Sequence, residues 1–251
     1  MHADFERDGC VVVRGVVAED ELVAMREVFT SLIPEGAYPP GPDGVVWEVA
    51  GAARAHERLG KIARDPRFGA LVAQALGAAR VQLLQDTLLY KPARDGGSVQ
   101  WHQDFTYLGF LVPARVATLR IALHAEDLDT GCMRVVDGSH HWGPVGDNRA
   151  LRETSVGSLL PSLAPEQRAR VEEARTLALA PGDVTIHHCL ALHGSVPNPS
   201  PHPRRTIILR MFDAACRLDR ARLPPGYEAY FPADAEGHLD ATAFPVVHAN
   251  P

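Results

Sequence analysis

The apolar positions of this chain change their spacing about a third of the way along. Before that point they recur at helical intervals. From Ala18 to Ile33, Leu22, Met25, Phe29 and Leu32 fall on one stripe, and acids crowd the first turn. Ala53 to Arg64 and Arg67 to Leu76 read as two further helices. Ahead of them, Gly9-Cys10-Val11-Val12-Val13-Arg14 reads as a short buried strand. Gly36 to Gly44, rich in Pro and Gly, reads as a loop that covers a site or simply joins elements.

From Val81 onward short apolar runs separated by turns take over. Val81 to Tyr90 is a long run that carries Gln82, Gln85, Asp86 and Thr87. Val116 to His124, Met133 to Val136, Thr176 to Leu179, Val184 to His188 and Thr206 to Phe212 follow, with Pro181-Gly182-Asp183 as a tight turn. Only Pro161 to Arg175 interrupts the strands, as a helical insertion. Helices first and then many short strands predict a mainly β fold with flanking helices, a double-sheet jelly roll of the α+β class. No linker is visible. One domain over residues 1–251 is expected, with a helical part over about 1–78, a jelly-roll core over about 79–215 and a C-terminal tail.

Composition narrows the picture without changing it. Apolar residues make up 46% of the chain and charged ones 22%, enough for a sizeable core. A formal charge of −6 with no Lys/Arg-rich run argues against a nucleic-acid binder. Met1 to Asp8 is charged where a signal peptide needs an apolar run, and no apolar segment is long enough for a membrane helix. Cys10, Cys132, Cys189 and Cys216 lack paired CxxC spacing, which fits buried thiols in a reducing cytoplasm. Nothing in the sequence marks a particular oligomeric state.

The chemistry concentrates in His102-Gln103-Asp104, in the remote His193, and in Arg204 eleven residues past it. Two imidazoles and one carboxylate suit one face of a divalent iron and leave the other face open. Alternation on a strand would turn His102 and Asp104 inward and Gln103 away. A lone Arg beyond the distal His suits a two-pronged grip on a carboxylate, such as that of a 2-oxo acid. A closed structural zinc site, which uses four Cys or His ligands, is not indicated.

In order, the chain carries Trp101-His102-Gln103-Asp104 with Tyr107 three residues on, then Thr130-Gly131-Cys132 and Asp137-Gly138-Ser139-His140. Pro181-Gly182-Asp183, His193-Gly194-Ser195 and Arg204 complete the series. In these segments the sequence resembles the phytanoyl-CoA dioxygenase family of iron- and 2-oxoglutarate-dependent oxygenases, over nearly the whole chain. The resemblance implies a double-stranded β-helix (cupin-like) fold, Fe(II) held by His102, Asp104 and His193, and O2 and 2-oxoglutarate as co-substrates. It also implies that Arg204, helped by the Ser195 hydroxyl, holds the distal carboxylate of 2-oxoglutarate. Among competing histidines, only His193 is followed by Gly-Ser and has the Arg at the right offset. His188 is expected to line the cavity or pack near the metal, and His141 to be solvated or part of a lid.

Gln85 and Thr87, on one strand face, are candidates for contacting the co-substrate or are satisfied structural residues. Phe105, Tyr107 and Arg120 lie where the family's substrate contacts commonly fall. Phe105 and Tyr107 also read as core or lid packing. Arg120 replaces the family's frequent Trp. It either pairs with an internal acid or meets an anionic small-molecule substrate. Thr130 and Asp137 replace the family's Asn and Pro. The carboxylate of Asp104 points to hydroxylation of an unactivated C–H bond, with release of succinate and CO2, since related halogenases carry a small residue there. A desaturase or cyclase would share every one of these residues. A cupin metalloenzyme without 2-oxoglutarate would have no use for Arg204, and a non-catalytic binder would release no succinate.

Overall fold

A computed structural model describes residues 1–34, 46–94, 96–146, 158–223 and 225–250. The expected loop over Gly36 to Gly44 lies outside the described residues. The helices are α1 His2–Asp8, α2 Glu19–Leu32, α3 Glu57–Ala63, α4 Pro66–Leu76, α5 Phe105–Leu108 and α6 Pro165–Glu172. The strands are β1 Cys10–Val13, β2 Trp47–Ala50, β3 Arg80–Lys91, β4 Val99–His102, β5 Leu111–Val112, β6 Val116–Ala122 and β7 Met133–Val135. They continue with β8 Arg175–Thr176, β9 Val184–His188, β10 His193–Ser195, β11 Arg204–Asp213, β12 Arg217–Leu218 and β13 Val246–Ala249.

Helix α2 forms where its stripe and its acidic first turn require it, burying Leu22, Met25, Val28 and Phe29. Each such side chain contributes roughly 1.5–3 kcal/mol by leaving water. Asp65 caps α4 by accepting from the Arg67 amide, and Pro66 stands at its first position. The stretch expected as one helix over Ala53 to Arg64 divides into a 3-10 turn, Ala52–Arg54, and α3, because the His56 ring accepts the Leu59 amide and starts a new helix. Helix α1 went unread because it carries a single buried anchor, Phe5.

The strands assemble into two main antiparallel sheets. The larger runs β1-β9-β6-β11-β3-β13, with β2 also on β3, and the smaller runs β4-β10-β7-β8. This is the expected jelly roll, a double-stranded β-helix with helices on its outer face. Strand alternation divides β11 between two environments. Ile207, Leu209 and Met211 enter the core shared with the helices, while Arg204, Ile208 and Arg210 line a cavity on the opposite face. Thr176 to Leu179, expected as a strand, is a strand only at β8, with a separate bridge from Leu179 to Glu126, and the helical insertion narrows to α6. The segment after residue 215 contributes β12 and β13, the latter paired with β3. All four cysteines are free and buried, as expected.

Candidate active site

The cavity is lined from the larger sheet by Leu89, Thr118, Arg120, His187, Arg204, Ile208 and Arg210. From the smaller sheet it is lined by Val99, His102, Met133, His193 and Ser195. Register aligns the functional side chains in rungs. His187 pairs with Thr118, Thr118 with Arg210, and Arg210 with Gln85, straight across β9, β6, β11 and β3. Arg204 lies opposite Lys91, and His193 lies opposite His102.

His102, Asp104 and His193 converge, with one ligand atom from each lying within 4.8 Å of the others. The Nε2 atoms of His102 and His193 stand 3.7 and 3.9 Å from the same carboxylate oxygen, Asp104 Oδ1. Both Nδ1 atoms face backbone carbonyls, of Gln100 at 2.7 Å and Ala191 at 2.9 Å. A carbonyl only accepts, so Nδ1 carries the proton and the Nε2 lone pair points into the site. Burial, with His102 and His187 nearby, drives His193 well below the usual imidazole range, so it is neutral. Burial opposes charge on Asp104. Arg210 and the surrounding imidazoles overcome it and hold the carboxyl well below its usual range.

Asp104 reaches this place by a local geometry that alternation does not describe. Strand β4 ends at His102, and Asp104 stands in helical conformation at the start of α5 (φ −58°, ψ −26°). Gln103 makes the turn. Its amide donates to the carbonyls of Gly143 and Leu190 and accepts from the Val145 amide, which fixes the junction. The second carboxylate oxygen, Asp104 Oδ2, accepts from Thr118 Oγ1 and lies 3.3 Å from His187 Nε2. His187 therefore orients the carboxylate. His188, one residue on, faces Phe5 and His140 instead of the cavity.

At the other end of the cavity Arg204 is 2% exposed. It donates to the Gly131 carbonyl and stands 3.6 Å from Glu126, and its Nε is buried without a hydrogen-bond partner. Lys91, fully buried, donates to the same Gly131 carbonyl, to Val196 O and to Ser195 Oγ at 2.7 Å. Burial, together with Arg204 and Arg120, pushes its amine down to about 6. Gly131 permits this sharing. Its φ is +72°, and a Cβ there would meet Pro197 O at 2.6 Å. Arg120 pairs with the buried acid Glu126 at 3.2 Å, and Thr206 also donates to that acid. Burial favours protonation of Glu126, yet Arg120 and Arg204 keep it below its ordinary value, as a carboxylate.

Gln85 and Thr87 share a face as expected, but both accept from Arg210 Nη1 and stand behind it. Phe105 is buried in an apolar cluster with Leu108, Phe110 and Phe212. Tyr107 packs against that cluster and meets the His102 ring edge-on at 6.2 Å. His141 is exposed. Sequence reasoning passed over Lys91, Glu126, His187 and Arg210 as site residues. The period-two spacing of Lys91 with Leu89 and Thr87, and of Arg210 with Arg204, was the available signal.

The family model for phytanoyl-CoA dioxygenase matches residues 5–206. The chain belongs to the phytanoyl-CoA dioxygenase family. It is similar to the ectoine dioxygenase of Sphingopyxis alaskensis, 26% identical over 87% of this chain and 76% of that one. It is 27% identical to the mouse phytanoyl-CoA dioxygenase domain-containing protein 1, over 72% of this chain and 62% of the mouse protein. The fold matches the α-ketoglutarate-dependent epimerase SnoN from nogalamycin biosynthesis with a TM-score of 0.76, at 23% identity over 98% and 96% of the two chains. EctD from S. alaskensis with 2-oxoglutarate and 5-hydroxyectoine matches with a TM-score of 0.72, at 21% identity over 95% and 85%.

Membership makes the chain an Fe(II)- and 2-oxoglutarate-dependent oxygenase that uses O2. The residues present fit both groups. Bonds of about 2.0–2.2 Å from imidazole and carboxylate to a first-row ion span up to about 4.4 Å between ligand atoms. The 3.7 and 3.9 Å separations fall within that reach. The unpartnered Nε of Arg204 offers a carboxylate a buried donor.

Proposed function

We propose that the chain hydroxylates an unactivated C–H bond of a small-molecule substrate. In this reading His102, Asp104 and His193 hold Fe(II), Arg204 and Ser195 hold the distal carboxylate of 2-oxoglutarate, and Lys91 positions the Ser195 hydroxyl. The observation that carries it is the convergence of two proton-free imidazole nitrogens on one buried carboxylate oxygen. When bound, iron and 2-oxoglutarate together supply the oxidation of a C–H bond by O2, with 2-oxoglutarate converted to succinate and CO2.

The chain's own residues supply placement. The Gln100 and Ala191 carbonyls lock the tautomers of His102 and His193. Thr118 and His187 occupy Asp104 Oδ2 and leave Oδ1 toward the imidazoles. Glu126 holds Arg204 and Arg120 in one buried network, so the Arg204 guanidinium is oriented before a ligand arrives. The carboxylate at 104 supports hydroxylation over halogenation.

The test is anaerobic titration with Fe(II) and 2-oxoglutarate, then succinate release against a metabolite panel with product masses. Gain of one oxygen atom is the expected product change, and loss of two hydrogens would assign desaturation or cyclisation instead. His193→Ala should abolish both Fe(II) binding and succinate release. Succinate release that survives His193→Ala would overturn the assignment.

A further inference from the structure

The cavity's cations differ in how they are neutralised. Arg120 and Arg204 share Glu126. Among the described residues the acid paired with Arg210 is Asp104, with Oδ1 at 3.9 Å from Nη2 and no hydrogen bond between them, and that oxygen is also the one the imidazoles approach. Glu48, the other acid on the cavity wall, is exposed and forms no ion pair with Arg210.

The hydrogen bonds of Arg210 are one-sided. Nη1 donates to Gln85 Oε1 at 3.2 Å and to Thr87 Oγ1 at 2.9 Å. These neutral acceptors use both Nη1 hydrogens and fix the plane of the group without cancelling its charge. Among the described residues, Nε and Nη2 donate no hydrogen bond, although the side chain is only 14% exposed. A mostly buried guanidinium with one edge free of hydrogen bonds, whose acid at 3.9 Å is shared with two imidazoles, leaves a place for a further anion. The Nε and Nη2 edge matches the two oxygens of a carboxylate.

We infer that Arg210 is the substrate anchor of this site, and that the substrate is a small organic acid whose carboxylate lies against its Nε and Nη2 edge. The inference rests on the oxygenase reading above and adds the substrate class. Arg210 occupies the same rung as Thr118, which bonds Asp104, so the oxidised C–H lies close to the carboxylate. The expectation of an anionic substrate thus passes from Arg120, which is hydrogen-bonded to the buried Glu126, to Arg210.

The test uses wild-type chain loaded anaerobically with Fe(II) and saturating 2-oxoglutarate. Small amino acids, hydroxy acids, short fatty acids and aromatic acids are titrated beside their amides, with thermal shift and intrinsic fluorescence as readouts. At least one acid should bind about tenfold or more tightly than its amide. Arg210→Gln should bring acid and amide to near parity, while Arg210→Lys keeps part of the preference. 2-Oxoglutarate affinity should stay within about threefold of wild type in both variants. The inference falls if no acid binds the wild type or if amides bind as well as acids. It also falls if Arg210→Gln keeps the wild-type preference for the acid over its amide. Failure of the wild type to bind Fe(II) or 2-oxoglutarate, seen before any acid is added, refutes the oxygenase reading instead.

Discussion

Arg204 and Arg205 are neighbours with opposite surroundings, and they make the sharpest comparison at the residue scale. Arg204 lines the cavity, whereas Arg205 sits on the other face, over the Tyr90 ring. Arg204→Ala should raise the apparent KM for 2-oxoglutarate roughly tenfold to a hundredfold, the value of one charged pair of hydrogen bonds. Arg205→Ala should leave that KM within about twofold. Steady-state kinetics with varied 2-oxoglutarate checks both. Glu126→Gln should cost about 3–5 kcal/mol, because two buried guanidinium groups would keep no counter-charge. Urea unfolding measures it, and a loss below about 1 kcal/mol would contradict the network described. The Arg204 face was legible from alternation alone. Glu126 was not, since it lies outside the strands and its role depends on two residues that sequence separates from it.

At the scale of elements, short pieces explain what sequence could and could not supply. Strands β3, β6, β9 and β11 are 12, 7, 5 and 10 residues long, and their apolar runs marked them. Strands β5, β8 and β12 have two residues each, too few to show any period. The turn at Gln103 was invisible for another reason. It depends on partners at Gly143, Val145 and Leu190, some forty to ninety positions away. Gly131 tests the loop behind the co-substrate end. Gly131→Ala places a Cβ against Pro197 O at a φ of +72° and should destabilise by about 1–3 kcal/mol. It should also raise the 2-oxoglutarate KM, since Lys91 and Arg204 share that carbonyl. Calorimetry and kinetics on the same variant should move together; a change in Tm alone would separate the loop from the site.

For the whole molecule, the packing of α1 against the larger sheet gives a pH dependence. His188 is half-buried between Phe5 and His140, and its Nδ1 accepts from the Leu190 amide. Burial, with neighbouring imidazoles, pushes it from 6.5 down to about 3. Between those values the unfolded chain binds the extra proton, so stability rises with pH across the window and is lost as pH falls from 6.5 towards 3. His188→Gln should flatten that acid limb relative to wild type in urea midpoints taken at successive pH values. An unchanged limb would place the sensitivity elsewhere.

The rungs that cross β9, β6, β11 and β3 have a consequence for how this wall can vary. Each chemical group is delivered by its count along the strand, so deleting one residue between Arg204 and Arg210 would keep one of them on the cavity wall and turn the other into the oily layer beneath the helices. Exchange of one side chain for another leaves that count intact, whereas any change of length must be absorbed in the connections at either end.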